Sequence, residues 1–385
     1  MTVRRRPRDR KAQLASAAAE LFRGRGYHAV GVGDIAAAAG ITGPAVYRHF
    51  ENKQAILGHV LLTGVDELAD LLTPLSVGGD PRRLLLAAAD ASVAHRDITA
   101  LWRWQGRHLG DVDKKEIRRR TGELMVRWQV GLRGLRPELD AADATLLCFA
   151  ALSVFGSVGD HRATPARLPS LLADLADAVI RSDVVPATGP APAPWRGRST
   201  APGTRREELL SAATRLFRQH GFHAVSMEDI GAATGIAGPS VYRHFAGKSD
   251  ILLAAGRRMA DRLSVGLENS LASATDAHDA IRRLARSYVE TVLRSDDLIA
   301  VYTNEVVNLP EREARELRAL QRGYVVEWVR LVREVAPRLN EAEARVVVHA
   351  ALTIINDLPR TPRLASRPGL ADELTGLAVA VVERA

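Results

Sequence analysis

An eleven-residue segment at positions 40–50, GITGPAVYRHF, returns at 235–245 as GIAGPSVYRHF, an offset of 195 residues. A chain that repeats itself this closely folds twice into the same local structure, so whatever the segment builds is built in duplicate. The likeness extends well past the segment: residues 10–57 and 205–252 align without a gap, and 28 of the 48 positions are identical. Further on, the match resumes at an offset of 200, with Asp97 facing Asp297, Leu109 facing Leu309, Trp128 facing Trp328 and Pro137 facing Pro337. Two units of about 190 residues account for the chain, each long enough to bury a core of its own. Between them, residues 183–204 hold Pro186, Pro190, Pro192, Pro194 and Pro202 among small residues, the composition of a linker.

Each unit reads as all-α. Gly and Pro punctuate helix-length stretches of Ala, Leu, Arg and Glu, and no sustained two-residue alternation appears. Leu14, Ala17, Ala18, Leu21 and Phe22 recur at helical spacing, and Leu209, Ala212, Ala213, Leu216 and Phe217 repeat them. That pattern predicts a core-facing helix at the start of each unit. Gly26 and Gly221 close it, because glycine enters the left-handed conformation of a helix end without a Cβ penalty. A second helix is predicted over 32–39 and 227–234, where Ser226 and Asp229 form a capping box and the first unit offers only Gly31. Gly40 and Gly235 permit a sharp turn. The third helix begins at Thr42-Gly43-Pro44 or Ala237-Gly238-Pro239, proline being tolerated where first-turn amides have no helical partner. With Ile41, Val46 and Phe50 spaced to pack inward, each unit carries a helix-turn-helix.

The placement of charge agrees. The chain carries a net +8, and residues 1–62 hold ten Lys/Arg against four Asp/Glu while residues 196–255 hold eight against five. The positive excess therefore lies in the two motif-bearing segments, as expected of surfaces that meet phosphate. The lone cysteine, Cys148, excludes an intrachain disulfide and a cysteine zinc cluster, and a reducing, cytoplasmic setting is expected. Apolar runs such as residues 84–94, broken by Asp90, are expected to fall short of the roughly 20 residues of a membrane span. No HExxH, GxxxxGK[ST] or cysteine pair is present, so neither enzyme chemistry nor a cofactor or metal is expected.

A helix ending in Gly, a short turn, Gly-Pro-x-Val-Tyr-Arg-His-Phe, and a lysine three residues on at Lys53 or Lys248 resemble the DNA-binding domain of TetR-family transcriptional regulators, over about 50 residues in each unit. The stretches that follow are similar to the family's helical ligand-binding and dimerisation domain in length and punctuation. The resemblance implies helix-turn-helix domains at 1–62 and 205–256, regulatory domains at 63–182 and 257–385, and a linker at 183–204. It also implies a repressor that leaves a pseudo-palindromic operator when a small, mostly apolar effector binds. The last two helices of each unit, expected at 140–158 with 167–181 and at 340–358 with 368–382, correspond to the family's four-helix dimer interface. Duplication allows that interface to form inside one chain, as an intramolecular pseudo-dimer, or between two chains as a homodimer.

The chemistry of the third helix assigns roles. Gly43 and Pro44 keep its start narrow, so that backbone amides approach the sugar-phosphate chain and Pro44 touches a thymine methyl. Tyr47, His49 and Lys53 are placed to hydrogen-bond phosphates, and Arg48 to reach a guanine edge or a phosphate. The resemblance carries these roles to Gly238, Pro239, Tyr242, Arg243, His244 and Lys248. Where bases would be read the copies differ: Thr42 becomes Ala237, losing a hydroxyl and a helix cap, and Ala45 becomes Ser240. Related but unequal half-sites are expected, unless only one head binds DNA and the other unit serves as a scaffold for assembly or ligand sensing. The arm Arg4-Arg5-Arg6-Pro7-Arg8 is expected in a minor groove or along phosphate, with Trp195-Arg196-Gly197-Arg198 a counterpart for the second head. In the regulatory domains, the resemblance assigns Trp104, His108, Asn304, Glu305 and Asn308 to the walls of an effector pocket, while Trp102 and Trp128 read as core packing.

Overall fold

The computed structural model describes residues 8–72, 80–96, 109–184, 204–361 and 363–385. The arm arginines Arg4, Arg5 and Arg6, the pocket candidates Trp104 and His108, and the linker segment 195–198 lie outside the described residues. The chain divides into two compact units, Met1–Ser182 and Asp183–Glu383. Among the described residues all regular structure is helical, with no strand.

In the first unit, α1 (Arg8–Arg25), α2 (Val32–Ala38) and α3 (Gly43–Val46) form the head, and α4 (Lys53–Leu72) leads out of it. Then come α5 (Pro81–Ala94), α6 (Asp111–Leu135), α7 (Ala141–Gly156) and α8 (Leu168–Ile180). The second unit repeats the head as α9 (Arg205–His220), α10 (Met227–Ala233) and α11 (Gly238–Val241), with α12 (Lys248–Ala272) leading out. It continues with α13 (Ala277–Arg294), α14 (Asp296–Asn304), α15 (Glu311–Val335), α16 (Glu341–Asp357) and α17 (Leu370–Glu383).

The periodic apolar residues do what their spacing requires. Leu14, Ala18 and Phe22 on α1, and Leu209, Ala213 and Phe217 on α9, are completely buried. Each phenylalanine so buried contributes about 2–3 kcal/mol. Gly26 and Gly221 close these helices at φ +77° and +82°, and Gly40 and Gly235 make the turn at φ +66° and +72°, a region a Cβ disfavours. Each head core continues into the regulatory helices. Leu109 and Ile117 of the first unit join Val30, Ile35, Val46 and Phe50; in the second, Val301, Val306, Leu309, Ala314 and Leu317 join Val225, Ile230, Val241 and Phe245.

Two features differ from expectation. The head boundaries expected at 62/63 and 256/257 fall inside α4 and α12, which run unbroken from head to regulatory domain. And α7 with its following turn, Ala141–Gly159, forms 19 residues long and apolar enough to cross a membrane, although the sequence reading expected no such run. Some 67% of that stretch is buried within the protein. Its residues Leu146, Leu147, Ala150, Ala151 and Val154 are wholly buried, so its hydrophobicity is that of a core helix in a compact unit.

Candidate nucleic-acid interface

The interface is assembled at the start of α2 and α10. Ser226 Oγ accepts from the Asp229 amide at 3.0 Å and Asp229 Oδ2 accepts from the Ser226 amide at 2.8 Å, the reciprocal box the sequence predicts. In the first head only half of it exists: Asp34 Oδ2 accepts from the Gly31 amide at 2.7 Å, and glycine has no hydroxyl to answer. These bonds hold Asp229 below the usual carboxylate range. The turn then closes through the Ile41 amide on Ala36 O at 2.9 Å and the Ile236 amide on Gly231 O at 3.0 Å. Thr42 occupies the N-cap of α3, but its side chain makes no capping hydrogen bond. The expected loss of a cap on passing from Thr42 to Ala237 therefore does not occur, and the difference between the copies at this exposed position is the hydroxyl itself.

Val46 and Val241 are buried on one side of α3 and α11, the third helix of each head and the candidate recognition helix, with Phe50 and Phe245 anchoring its exit. On the other side Thr42, Pro44, Tyr47 and Arg48 are exposed in one head, and Ala237, Pro239, Tyr242 and Arg243 in the other. Ala45, His49, Ser240 and His244 are half-buried; Gly43 is half-buried where Gly238 is buried. Tyr47 and Tyr242 leave 59% and 52% of their surface in solvent. Among the described residues, no side-chain hydrogen bond or ion pair engages Tyr47, Arg48, His49, Tyr242, Arg243 or His244. Arginines elsewhere are held, as Arg257 is by Glu316 at 2.6 Å and Arg119 by Glu123 at 2.6 Å. One face of each head thus presents an aromatic hydroxyl, a guanidinium and an imidazole with unspent hydrogen-bonding capacity, side by side.

Lys53 and Lys248 are placed differently from the expected phosphate contacts. Lys53 Nζ donates to Tyr27 O at 2.8 Å and Val30 O at 2.9 Å and sits 4.2 Å from the Tyr27 ring centre. Lys248 Nζ donates to Phe222 O at 2.8 Å and Val225 O at 2.6 Å, 4.7 Å from the Phe222 ring centre. Partial burial lowers both pKa values. Two of the three ammonium donors are thereby committed to the loop that aims the second helix. A second pair was invisible in the motif: Arg10 Nη1 donates to Ala39 O at 3.3 Å and Arg205 Nη1 to Thr234 O at 3.2 Å, tying the first helix to the end of the second. Both brace partners are backbone carbonyls 23 to 29 positions away, and a carbonyl leaves no mark in sequence.

The pocket candidates of the second unit stand between head and regulatory helices. His223, on the loop after α9, pairs its Nε2 with Asn308 Oδ1 at 2.8 Å, and Asn308 Nδ2 donates to the buried Glu305 at 2.5 Å. Arg218 at the end of α9 reaches Asp297 at 2.7 Å. A groove of roughly 740 Å³, bordered by Asn269, Asp279, Arg283, Arg286, Glu290 and Asp372, includes none of the candidates. Helical spacing marks Glu305 and Asn308 as polar groups on an otherwise apolar segment; it does not say that the neighbour they meet is the head. The side chain of Asn304 is not among those described.

Residues 14–60, and again 209–255, match the family described as bacterial regulatory proteins, tetR family. Residues 274–360 match the tetracyclin repressor-like C-terminal domain. By the first of these matches both heads are TetR-family DNA-binding domains. The duplicated match puts a helix-turn-helix of this family's type in each unit. It is similar to the HTH-type transcriptional activator FasR of Mycolicibacterium smegmatis, 30% identical over 121 residues that make up 31% of this chain and 55% of that one. It is also similar to the HTH-type transcriptional repressor KstR2 of Rhodococcus jostii, 32% identical over 109 residues, 28% of this chain and 53% of that one. The chain spans about half the length of these relatives. Among solved structures, a TetR-family regulator from Bordetella parapertussis aligns at 21% identity and a TM-score of 0.44, covering 46% of this chain and 93% of that one.

Proposed function

We propose that both heads bind double-stranded DNA and that the chain is a repressor released from a pseudo-palindromic operator by a small, mostly apolar effector. The observation that carries this reading is the open face: in both copies Tyr, Arg and His project from one side of the recognition helix without an intramolecular partner, while the opposite side fills the core. Phenol, imidazole and guanidinium are phosphate-binding groups, and Thr42, Pro44 and Ala45, or Ala237, Pro239 and Ser240, stand beside them where base edges would lie. On this reading Lys53 and Lys248 act chiefly by fixing the loop that sets the second helix, and the arm at Arg4, Arg5 and Arg6 adds minor-groove or phosphate contact.

Two heads read successive major grooves only when held about 34–36 Å apart or a multiple of that. We propose that the two units of one chain pair with each other, the linker of some 20 residues reaching up to about 60 Å as extended polyproline. Release follows if an effector favours a state in which that spacing is lost, and its leverage equals its differential affinity for the two states. The His223–Asn308–Glu305 chain and the shared head cores are the physical connection through which such a change travels. Operation in the cytoplasm belongs to the same reading.

The test is a pair of variants. Tyr47→Ala with His49→Ala, and separately Tyr242→Ala with His244→Ala, are each expected to lower operator affinity tenfold or more. A silent pair in one head establishes the second reading, one DNA-binding head and one scaffold. Mass in solution combined with footprinting decides pairing: one chain protecting one pseudo-palindrome supports the intramolecular pair, and a two-chain particle on two sites rejects it. Titrating a metabolite panel against bound operator tests release, and no response from any member leaves a constitutive binder.

A further inference from the structure

The two heads present different chemistry immediately beside their recognition helices. At the second position of α10 stands Glu228, exposed; the aligned position of α2 is Gly33. Glu228 leans against the start of α11: a methyl added to Gly238 would lie 3.0 Å from Glu228 Cγ and 3.2 Å from its Cα and Oε1. A methyl on Gly43 would meet nothing within 4 Å, and one on Gly33 likewise. Asp229 already completes the capping box, and no hydrogen bond or ion pair engages the Glu228 carboxylate among the described residues. A helix first turn does favour acidic residues, but that need is met by Asp229 in one head and Asp34 in the other. The second head therefore holds an unpaired carboxylate against Gly238, at the start of the helix that carries Pro239 and Ser240.

We infer that Glu228 is a base-reading residue, specifying a cytosine in the half-site bound by the second head and leaving the half-site of the first head unrestricted at the matching position. This rests on the reading that both heads bind DNA. A carboxylate has only acceptors, and of the groups on the major-groove edge the N4 amino group of cytosine is a donor it can meet without facing an adjacent acceptor on the same base. Guanine and thymine offer acceptor oxygens there and are repelled; adenine pairs its amino group with the N7 acceptor and is intermediate. The same negative charge weakens non-specific attraction to phosphate, so the second head depends more on the right base than the first does.

Sites selected from a randomised duplex by the full chain test this, using wild type, Glu228→Gln, Glu228→Gly and Gly33→Glu. Wild type is expected to select cytosine at one position of one half-site, with replacement by guanine costing about tenfold in affinity. Glu228→Gln, nearly isosteric, shifts that preference to adenine, whose N6 and N7 suit an amide. Glu228→Gly erases it and makes the half-sites alike there, and Gly33→Glu installs it in the other half. Unchanged base frequencies in Glu228→Gln and Glu228→Gly, with selection otherwise intact, overturn the inference and leave Glu228 a helix-start residue. Selection of no sequence by wild type, or selection by the Tyr242→Ala, His244→Ala variant that equals wild type in both half-sites, instead overturns the DNA-binding reading of the second head on which the inference depends.

Discussion

The two heads expose nearly the same functional face on differently built supports. In the second, helices α10 and α11 meet at glycine: a methyl on Gly231 would lie 2.8 Å from Ile236 O and 3.2 Å from the Gly238 amide and Val241 Cγ2. The first head has Ala36 at that place, buried with its methyl accommodated, so α2 and α3 are packed with more room between them. The second head compensates nothing in its cap, which is complete, whereas the first relies on a half-formed one. What the pair shares without exception is the lysine on loop carbonyls, the arginine on the end of the second helix, and the outward Tyr-Arg-His group. Divergence has been absorbed by spacing and capping, where one solution replaces another. The positions that aim the open face have stayed.

Substitutions that cross the two copies sharpen this contrast, with local stability read by hydrogen exchange of each head in the full chain. The largest effect is expected for Lys53→Met and Lys248→Met. Each leaves two half-buried carbonyls without their charged donor and should destabilise its head by about 2–3 kcal/mol. A loss confined to one head would break the claim that the brace is equivalent in both. Next, Gly231→Ala should cost about 1–3 kcal/mol, because the obstructing Ile236 carbonyl is backbone and cannot swing away. The reverse exchange, Ala36→Gly, should cost about 1 kcal/mol, from helix propensity and the lost buried methyl. If Gly231→Ala is silent, the two helix pairs are not differently spaced. Gly238→Ala should slow operator binding or lower stability modestly as Glu228 is pushed aside, while Gly43→Ala, in open space, should raise stability by about 0.4–1 kcal/mol. The smallest effect is Gly31→Ser, which completes the first box and should protect the α2 amides by a few tenths of a kcal/mol.

Much of the fold was legible because it rests on local rules. Helix ends at Gly26 and Gly221, the turn at Gly40 and Gly235, the box at Ser226 and Asp229 and the paired terminal helices are all written in residues within a few positions of one another. The repeat made each reading a double one. Contacts across the fold were not legible. Lys53 and Lys248 read as surface cations, since the carbonyls that hold them have no sequence signature. The link from Asn308 and Glu305 to His223 was not legible either, since the resemblance that assigns them to a pocket does not name the neighbour they meet. The boundary drawn between head and regulatory domain lies inside a continuous helix, which the sequence did not show. A change of role along the chain need not coincide with a break in helix.

That unbroken helix has a mechanical consequence. At 1.5 Å per residue, the 25 residues of α12 make a rod about 37 Å long, with Lys248 bracing the head at one end. Near the head, Gly256 lets α15 so close that an added methyl would strike Leu317, a fulcrum without padding. Tilting the rod by about ten degrees about that contact carries its Lys248 end, roughly 12 Å away along the helix, by about 2 Å, and its far end by about 4 Å. On the proposed reading of the heads, an effector acting at the distant end of α12 reaches the head through a single unbroken helix.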